Sequence, residues 1–95
     1  MNKRHEITTV QTHERISIRT AARRAAVDGQ VVRYCIEVGL LEEGLTEHDV
    51  RELRRVRRLM SLGVNLEGAE IILRLRRRIQ ELEAELARLR MRLLS

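Results

Sequence analysis

The sequence contains one cysteine, one tyrosine and no proline, phenylalanine or tryptophan. A single cysteine, Cys35, excludes an intramolecular disulfide framework. The three histidines are scattered, at His5, His13 and His48, and lack the spacing of a structural metal site. Because the hydrophobic residues, 43% of the chain, are almost all aliphatic, we expect an aliphatic core built from helices or short strands.

Long apolar segments are also missing. No apolar run approaches about 18 residues and no basic-then-apolar leader opens the chain, so we expect no membrane span, no secretory signal and a cytoplasmic protein. A chain of 95 residues forms a compact core of only marginal stability unless something supplements it. With disulfides and metals set aside, oligomerisation is the expected supplement.

The charge is unevenly distributed. The net charge is +5, but residues 1–47 carry seven Lys/Arg and seven Asp/Glu, whereas residues 48–95 carry twelve and seven. The positive charge therefore lies in the C-terminal half. A basic balance of this kind favours a polyanionic partner.

The first half predicts two short helices after a short β-branched segment at residues 6–11, which favours a strand. Residues 16–27 indicate a helix that begins near Ser17 and buries Ile18 with the alanines that follow. Asp28 is a candidate N-cap for a second helix to about residue 38, which Gly39 ends. Two such helices have the proportions of a helix-turn-helix, and also those of an ordinary helical hairpin.

The second half predicts a third helix after Thr46, with Asp49 completing a capping box and Gly63 ending it. Asn65 is the candidate cap of a fourth helix over residues 66–94, which contains no glycine after Gly68. At about 1.5 Å per residue this helix is about 44 Å long, too long to pack wholly against a small domain. We therefore expect it to project.

The fourth helix carries an unbroken a/d heptad pattern, with spacings of three and four residues, which predicts a self-associating coiled coil. The charged residues beside these positions can form ion pairs in both a parallel and an antiparallel pair of helices, so they do not decide the relative orientation of the two helices. The predicted dimerisation residues are Ile72, Ile79, Leu86 and Leu93 at the a positions and Leu75, Leu82 and Leu89 at the d positions.

Residues 16–41 resemble the opening helix-turn-helix of MerR-type regulators, particularly in Arg33-Tyr34 and in the run Glu-Val-Gly-Leu-Leu at residues 37–41. Residues 45–50 are similar to the start of the third helix of that family. Residues 62–68 resemble the junction before the long helix in its heat-shock repressor branch. The resemblance covers roughly residues 7–90.

This resemblance implies a helix-turn-helix domain with a wing, an antiparallel coiled-coil homodimer and double-stranded promoter DNA as the partner, read by the second helix in the major groove. It also implies which residues contact DNA, directly or through phosphates. They are Arg19, Arg23, Arg24, Gln30, Arg33 and Tyr34.

The chain departs from the family at the wing, because only the short acidic segment Glu42-Glu43-Gly44 joins Leu41 to Leu45 where a basic hairpin is usual. The sequence also resembles small CbpM-type modulators, which share the fold but bind the J-domain of a DnaJ-like co-chaperone instead of an operator. J-domains carry a basic helix, so their partner should be acidic. The alternative J-domain-binding residues are Glu37, Glu42, Glu43, Glu47 and Asp49.

We therefore predict an all-α protein, with one short N-terminal strand as a possible addition. Its domains are a MerR-like helix-turn-helix domain with a reduced wing (residues 1–64) and a coiled-coil dimerisation helix (residues 65–95). The predicted function is DNA-binding transcription regulation in stress or chaperone control, with the J-domain modulator as the alternative. We expect no enzyme, metal or cofactor, since no catalytic constellation is visible and Cys35 should be a buried structural thiol.

Overall fold

The computed structural model describes residues 15–95, which form four helices. Helix α1 spans Ile18–Ala25, α2 spans Gly29–Glu37, α3 spans Glu47–Ser61 and α4 spans Leu66–Leu94. The predicted all-α class and the long C-terminal helix are confirmed. The predicted strand at residues 6–11 lies outside the described residues.

Each helix begins directly after the residue that was predicted to cap it. At α3 the capping box is present, with the N–H of Thr46 donating to Asp49 Oδ2 at 2.9 Å. The other three caps accept an N–H from their own first turn: Ser17 from Thr20 (3.1 Å), Asp28 from Gln30 (2.8 Å) and Asn65 from Gly68 (2.8 Å). Capping satisfies amides that lack a partner within the helix, so these short side chains set the start of each helix.

The ends of α1, α2 and α3 depend on left-handed backbone. Gly39 after α2 and Gly63 after α3 have φ of 81° and 98°, as expected for glycines that stop a helix. Helix α1 ends earlier than its sequence suggested, because Ala26 itself adopts the left-handed conformation, with φ of 60°. The N–H of Ala26 then bonds back to the carbonyls of Ala22 and Arg23, and the chain turns into α2.

The core lies where α1 packs against both α2 and α3, and where α3 packs against the start of α4. Ala21 and Ala25 of α1 are buried, and their small side chains allow the helices to approach closely. A short antiparallel bridge, in which the N–H of Ile16 donates to the carbonyl of Leu45 at 2.6 Å, joins the segments before α1 and after α2. The largest fully buried side chains are Val32, Cys35, Leu45, Val50, Leu53, Val56 and Leu73.

Helix α4 belongs to the core only at its start. Ala69 and Leu73 are buried, whereas every residue from Arg78 to Ser95 is exposed. The predicted projection of this helix is therefore confirmed, and the described chain extends 49 × 47 × 20 Å. None of the described helices combines the length and apolar character that a membrane crossing would need.

Candidate nucleic-acid interface

The outward face of α2 carries Gln30, Arg33 and Glu37, which are spaced three and four residues apart and are all exposed. The opposite face is buried through Val32 and Cys35. Because Asp28 caps the helix one residue before it begins, Gln30 lies in its first turn. This end of a recognition helix is the one that reaches base edges in helix-turn-helix proteins.

Helix α1, which packs against α2, carries exposed arginines. Arg19 and Arg23 are exposed, and like Arg33 they take part in none of the ion pairs formed within residues 15–95. Exposed guanidinium groups of this kind can contact phosphate oxygens in a bidentate manner.

The third arginine of α1 is differently placed. Arg24 Nη1 lies 2.6 Å from Glu47 Oε2 at the start of α3, in an ion pair that is largely exposed on both sides. Exposed pairs contribute only about 0–1 kcal/mol, since water competes for both charges. A phosphate can therefore replace Glu47 at little cost, although Glu47 holds Arg24 in the structure.

Tyr34 lies at the edge of the α2 face and is engaged with α4. It is half-buried, and its hydroxyl donates to Glu70 Oε1 at 2.9 Å. Arg74 Nε donates to the other carboxylate oxygen of Glu70 at 2.9 Å, and Arg74 Nη2 donates to the carbonyl of Val38, just after α2. The structure thus ties Tyr34 to α4 and does not leave its hydroxyl free on the outer face with Gln30 and Arg33.

These contacts also shift two pKa values. The hydrogen bonds from Arg74 and Tyr34 lower the pKa of Glu70, because they favour its charged form. The hydrogen bond to Glu70 raises the pKa of the Tyr34 hydroxyl, which is a donor in this pair and is further disfavoured from ionising by its burial.

A set of basic residues on α3 was not among the predicted site residues. Arg54 Nη2 donates to the carbonyl of Arg24 at 3.4 Å, so that the exposed side of α3 lies next to the end of α1. The spacing of three and four residues along α3 could have identified this basic side, but only the fold places it beside α1. The exposed arginines of α3 are Arg51, Arg54, Arg57 and Arg58.

A buried acid was also missed. Glu52 of α3 is only 4% exposed and lies 3.5 Å from Arg55 Nη1 and 3.8 Å from Arg77 Nε of α4. The buried apolar residues of α3, Val50, Leu53 and Val56, recur at helical spacing, but that spacing gives no signal for a charged residue buried among them. Glu52 compensates a basic region where α3 and α4 pack.

The acidic residues of the alternative site are divided among several roles. Glu37, Glu42 and Glu43 are exposed, whereas Glu47 pairs with Arg24 and Asp49 bonds to Thr46. The connection from Leu41 to Leu45 is a tight turn through Gly44, with φ of 80°, and no hairpin wing lies between α2 and α3. Glu42 and Glu43 therefore occupy the position at which a basic wing would stand.

Cys35 is buried in the core, and burial raises the pKa of its thiol to about 11. The predicted inward orientation of this residue is confirmed. Within residues 15–95 no three histidine, cysteine or acidic side chains are arranged to hold a metal ion.

The predicted dimerisation residues share an uncovered side of α4. All seven are exposed, from 40% at Ile72 to 86% at Leu93. The buried residues Ala69 and Leu73 lie on another side of the same helix. The domain therefore packs on α4 without covering the heptad row.

Comparison with known protein families distinguishes a helix-turn-helix from an ordinary helical hairpin for α1 and α2. Residues 16–75 match the model of the MerR HTH family regulatory proteins, which covers more than half of the chain. Members of this family bind DNA, typically as dimers, and are generally not enzymes. Searches among curated proteins and solved structures find no match. The pair α1 and α2 is thus a helix-turn-helix, and the chain belongs to the MerR family of helix-turn-helix regulatory proteins.

Proposed function

We propose that this protein is a homodimeric transcription regulator that reads an operator with α2. The observation that carries the proposal is the outward face of α2, where Gln30 and Arg33 are exposed opposite the buried Val32 and Cys35, together with the exposed arginines of α1, the helix that packs against α2. Arginine pairs with guanine and glutamine with adenine through two hydrogen bonds in the major groove. Gln30 and Arg33 therefore read bases in this proposal.

Phosphate contacts come from the neighbouring helices. Arg19 and Arg23 are positioned for them on α1, and Arg24 joins them when phosphate displaces Glu47. The exposed arginines of α3 extend the same basic surface, since Arg54 contacts the end of α1. This surface compensates for the missing basic wing, because phosphate neutralisation supplies much of protein–DNA affinity.

The dimer forms through residues 65–95 in this proposal. Seven exposed aliphatic side chains in one row are costly to leave in water, and a second copy of the helix covers them most simply. We favour the antiparallel pair, which the family resemblance implies. In that arrangement, centred between Gln80 and Glu81, arginines beside the heptad row lie opposite glutamates of the second copy.

We place the regulator in stress or chaperone control, on the basis of the resemblance of residues 62–68 to the heat-shock repressor branch. The corresponding test is a transcript comparison between cells with and without the protein, before and after heat shock. Chaperone transcript levels that differ between the cells with and without the protein support this role. Equal levels in the two kinds of cell, both before and after heat shock, refute it.

A second candidate function rests on the acidic turn. Glu42 and Glu43 expose negative charge at the wing position, and Glu37 adds an exposed acid at the end of α2. This negative charge repels DNA and suits the basic helix of a J-domain. In this alternative the protein is a CbpM-type modulator of a DnaJ-like co-chaperone, and it binds no operator.

The two functions are separated by binding measurements on the full-length protein. A random duplex pool is selected on the wild type, and affinity for the selected duplex is measured with Arg33→Ala and with the control Arg88→Ala. Arg88 is an exposed arginine at the outer c position of α4. DNA reading predicts that Arg33→Ala loses about 1–3 kcal/mol of binding free energy, whereas Arg88→Ala loses none. It also predicts that the logarithm of the binding constant falls with the logarithm of the salt concentration, with a slope of about −0.9 per neutralised phosphate.

The modulator function predicts the opposite pattern. No duplex is enriched, a purified J-domain binds the protein, and Glu42→Lys combined with Glu43→Lys abolishes that binding. Sequence-specific DNA binding without J-domain binding refutes the modulator, and J-domain binding without duplex enrichment refutes the DNA reader.

A further inference from the structure

Helices α2 and α4 are joined by a closed set of polar contacts, here called the α2–α4 cluster, formed by Tyr34, Val38, Glu70 and Arg74. Tyr34 donates to Glu70, Arg74 donates to Glu70, and Arg74 also donates to the carbonyl of Val38. On each helix the two members are four residues apart, so they lie on one face. The cluster thus holds the last turn of α2 at two points against one face of α4.

The rest of the packing constrains this pair of helices less directly. The domain contacts α4 chiefly through α3, while α2 packs on α1. Without the cluster, the orientation of α2 relative to α4 depends on apolar contacts within an aliphatic core. Directional hydrogen bonds to a charged carboxylate restrict rotation more than apolar contacts do.

We propose that the α2–α4 cluster positions the recognition helix on the dimerisation helix and thereby sets the operator spacing that the dimer accepts. This inference rests on the proposed DNA-reading function. Glu70 and Arg74 act here as positioning residues, since they do not touch DNA. Two copies of α2 reach their half-sites in the correct phase only if each one is held at a fixed angle to the shared rod of α4 helices.

Spacing is a strict geometric requirement. One inserted base pair moves a half-site by about 3.4 Å along the duplex and rotates it by about 34°. A rigid dimer loses contacts after such an insertion, whereas a dimer with loosened recognition helices follows the displaced half-site. Loosening therefore weakens discrimination between spacings more than it weakens binding to the best duplex.

The first test measures positioning without DNA. Spin labels are attached to Gln30→Cys on α2 and Ala84→Cys on α4, in a Cys35→Ala background, and diluted with unlabelled protein so that the distance within one chain is measured. Glu70→Ala should broaden the distance distribution about twofold, because it removes the acceptor of both Tyr34 and Arg74. Glu81→Ala is the matched control, since Glu81 is an exposed acid on the same helix that pairs with Arg78 at 3.1 Å.

A second variant covers the case in which Glu70→Ala does not fold. Tyr34→Phe keeps the ring in the core and removes only the hydroxyl donor, and it should also broaden the distribution. A distribution as narrow as that of the wild type in the folded variants overturns the positioning role.

The second test measures how affinity depends on the spacing between half-sites. It uses the duplex selected by the wild type, with zero, one or two base pairs inserted between the half-sites. The wild type and Glu81→Ala should lose affinity steeply, and Glu70→Ala should lose at least about tenfold less. Equal losses in all three proteins overturn the spacing role. If the wild type selects no duplex, the DNA-reading function and the spacing role fail together, and the spin-label widths still decide whether the cluster positions α2.

Discussion

Ile72 and Leu73 are adjacent in α4, yet Leu73 is 1% exposed against the domain whereas Ile72 is 40% exposed on another side of the helix. The start of α4 therefore has two apolar sides. One is covered by the core of its own chain, and the other continues as the heptad row to the C-terminal end. The free row is the physical basis of the proposed dimer.

Leu82→Asp should abolish this dimer. The substitution places a carboxylate at a d position in the middle of the row, and the dissociation constant should rise by at least about 100-fold, or about 2.7 kcal/mol. Sedimentation equilibrium measures the change. Ala84→Asp adds the same charge at the outer f position and should leave the dimer intact. A Leu82→Asp protein that stays dimeric at micromolar concentration contradicts the heptad interpretation.

Glu52→Ala should destabilise the fold by about 1–2 kcal/mol, because it leaves Arg55 and Arg77 without their buried counter-charge. The loss stays below that of a fully buried pair, since both arginines keep access to water. Urea unfolding at one fixed protein concentration measures it. The control Glu81→Ala breaks an exposed pair and should change stability by less than about 0.5 kcal/mol. Equal effects of the two substitutions would show that Glu52 has no special role.

The contribution of Glu70 to stability should depend on pH. Its folded pKa is lowered from the ordinary value of 4.5, so its contribution is fully present above about pH 4.5 and is lost as the pH falls through the lower folded value. We expect Glu70→Gln to be less stable than the wild type at pH 7, with the difference disappearing in acid. Urea unfolding of both proteins across this range measures the difference. A difference that persists unchanged below the folded pKa would rule out the charged carboxylate as its source.

Cys35 should be unreactive in the native protein. A pKa near 11 instead of 9.0 reduces its thiolate fraction at pH 8 by about 100-fold, and burial hinders the reagent further. Absorbance after addition of a disulfide reagent should rise slowly in buffer and rapidly in denaturant. Ser95→Cys in a Cys35→Ala background supplies an exposed thiol, which should react rapidly in both conditions. Rapid modification of native Cys35 would place the thiol outside the core.

The helices were largely predictable because their starting signals are local. Ser17, Asp28, Asn65 and the Thr46 capping box each act within three residues, and Gly39 and Gly63 stop helices through their own backbone freedom. The end of α1 was less predictable, because Ala26 adopts a left-handed conformation that alanine disfavours on its own. The hydrogen bonds of the Ala26 N–H to the carbonyls of Ala22 and Arg23, and the packing of α2 against α1, offset that cost.

The candidate site was predictable in part. The exposure of Gln30 and Arg33 follows from the periodicity of α2, since Val32 and Cys35 fix the opposite side as buried. The engagement of Tyr34 with Glu70 and of Arg24 with Glu47 had no local signal. These partners are 36 and 23 residues apart, so their contact depends on how the helices are arranged.

The amino-acid sequence alone determined where the helices lie, which family the first two resemble and which row of α4 is apolar, because caps, glycines and heptads act through neighbours a few residues away. Only the tertiary structure decided that Glu52 is buried beside Arg77 and that Arg54 of α3 contacts the end of α1. It also decided that α2 is hydrogen-bonded to α4 through Tyr34 and Glu70. Those relationships join residues far apart in the chain, and the packing of an aliphatic core brings them within hydrogen-bonding or ion-pairing distance.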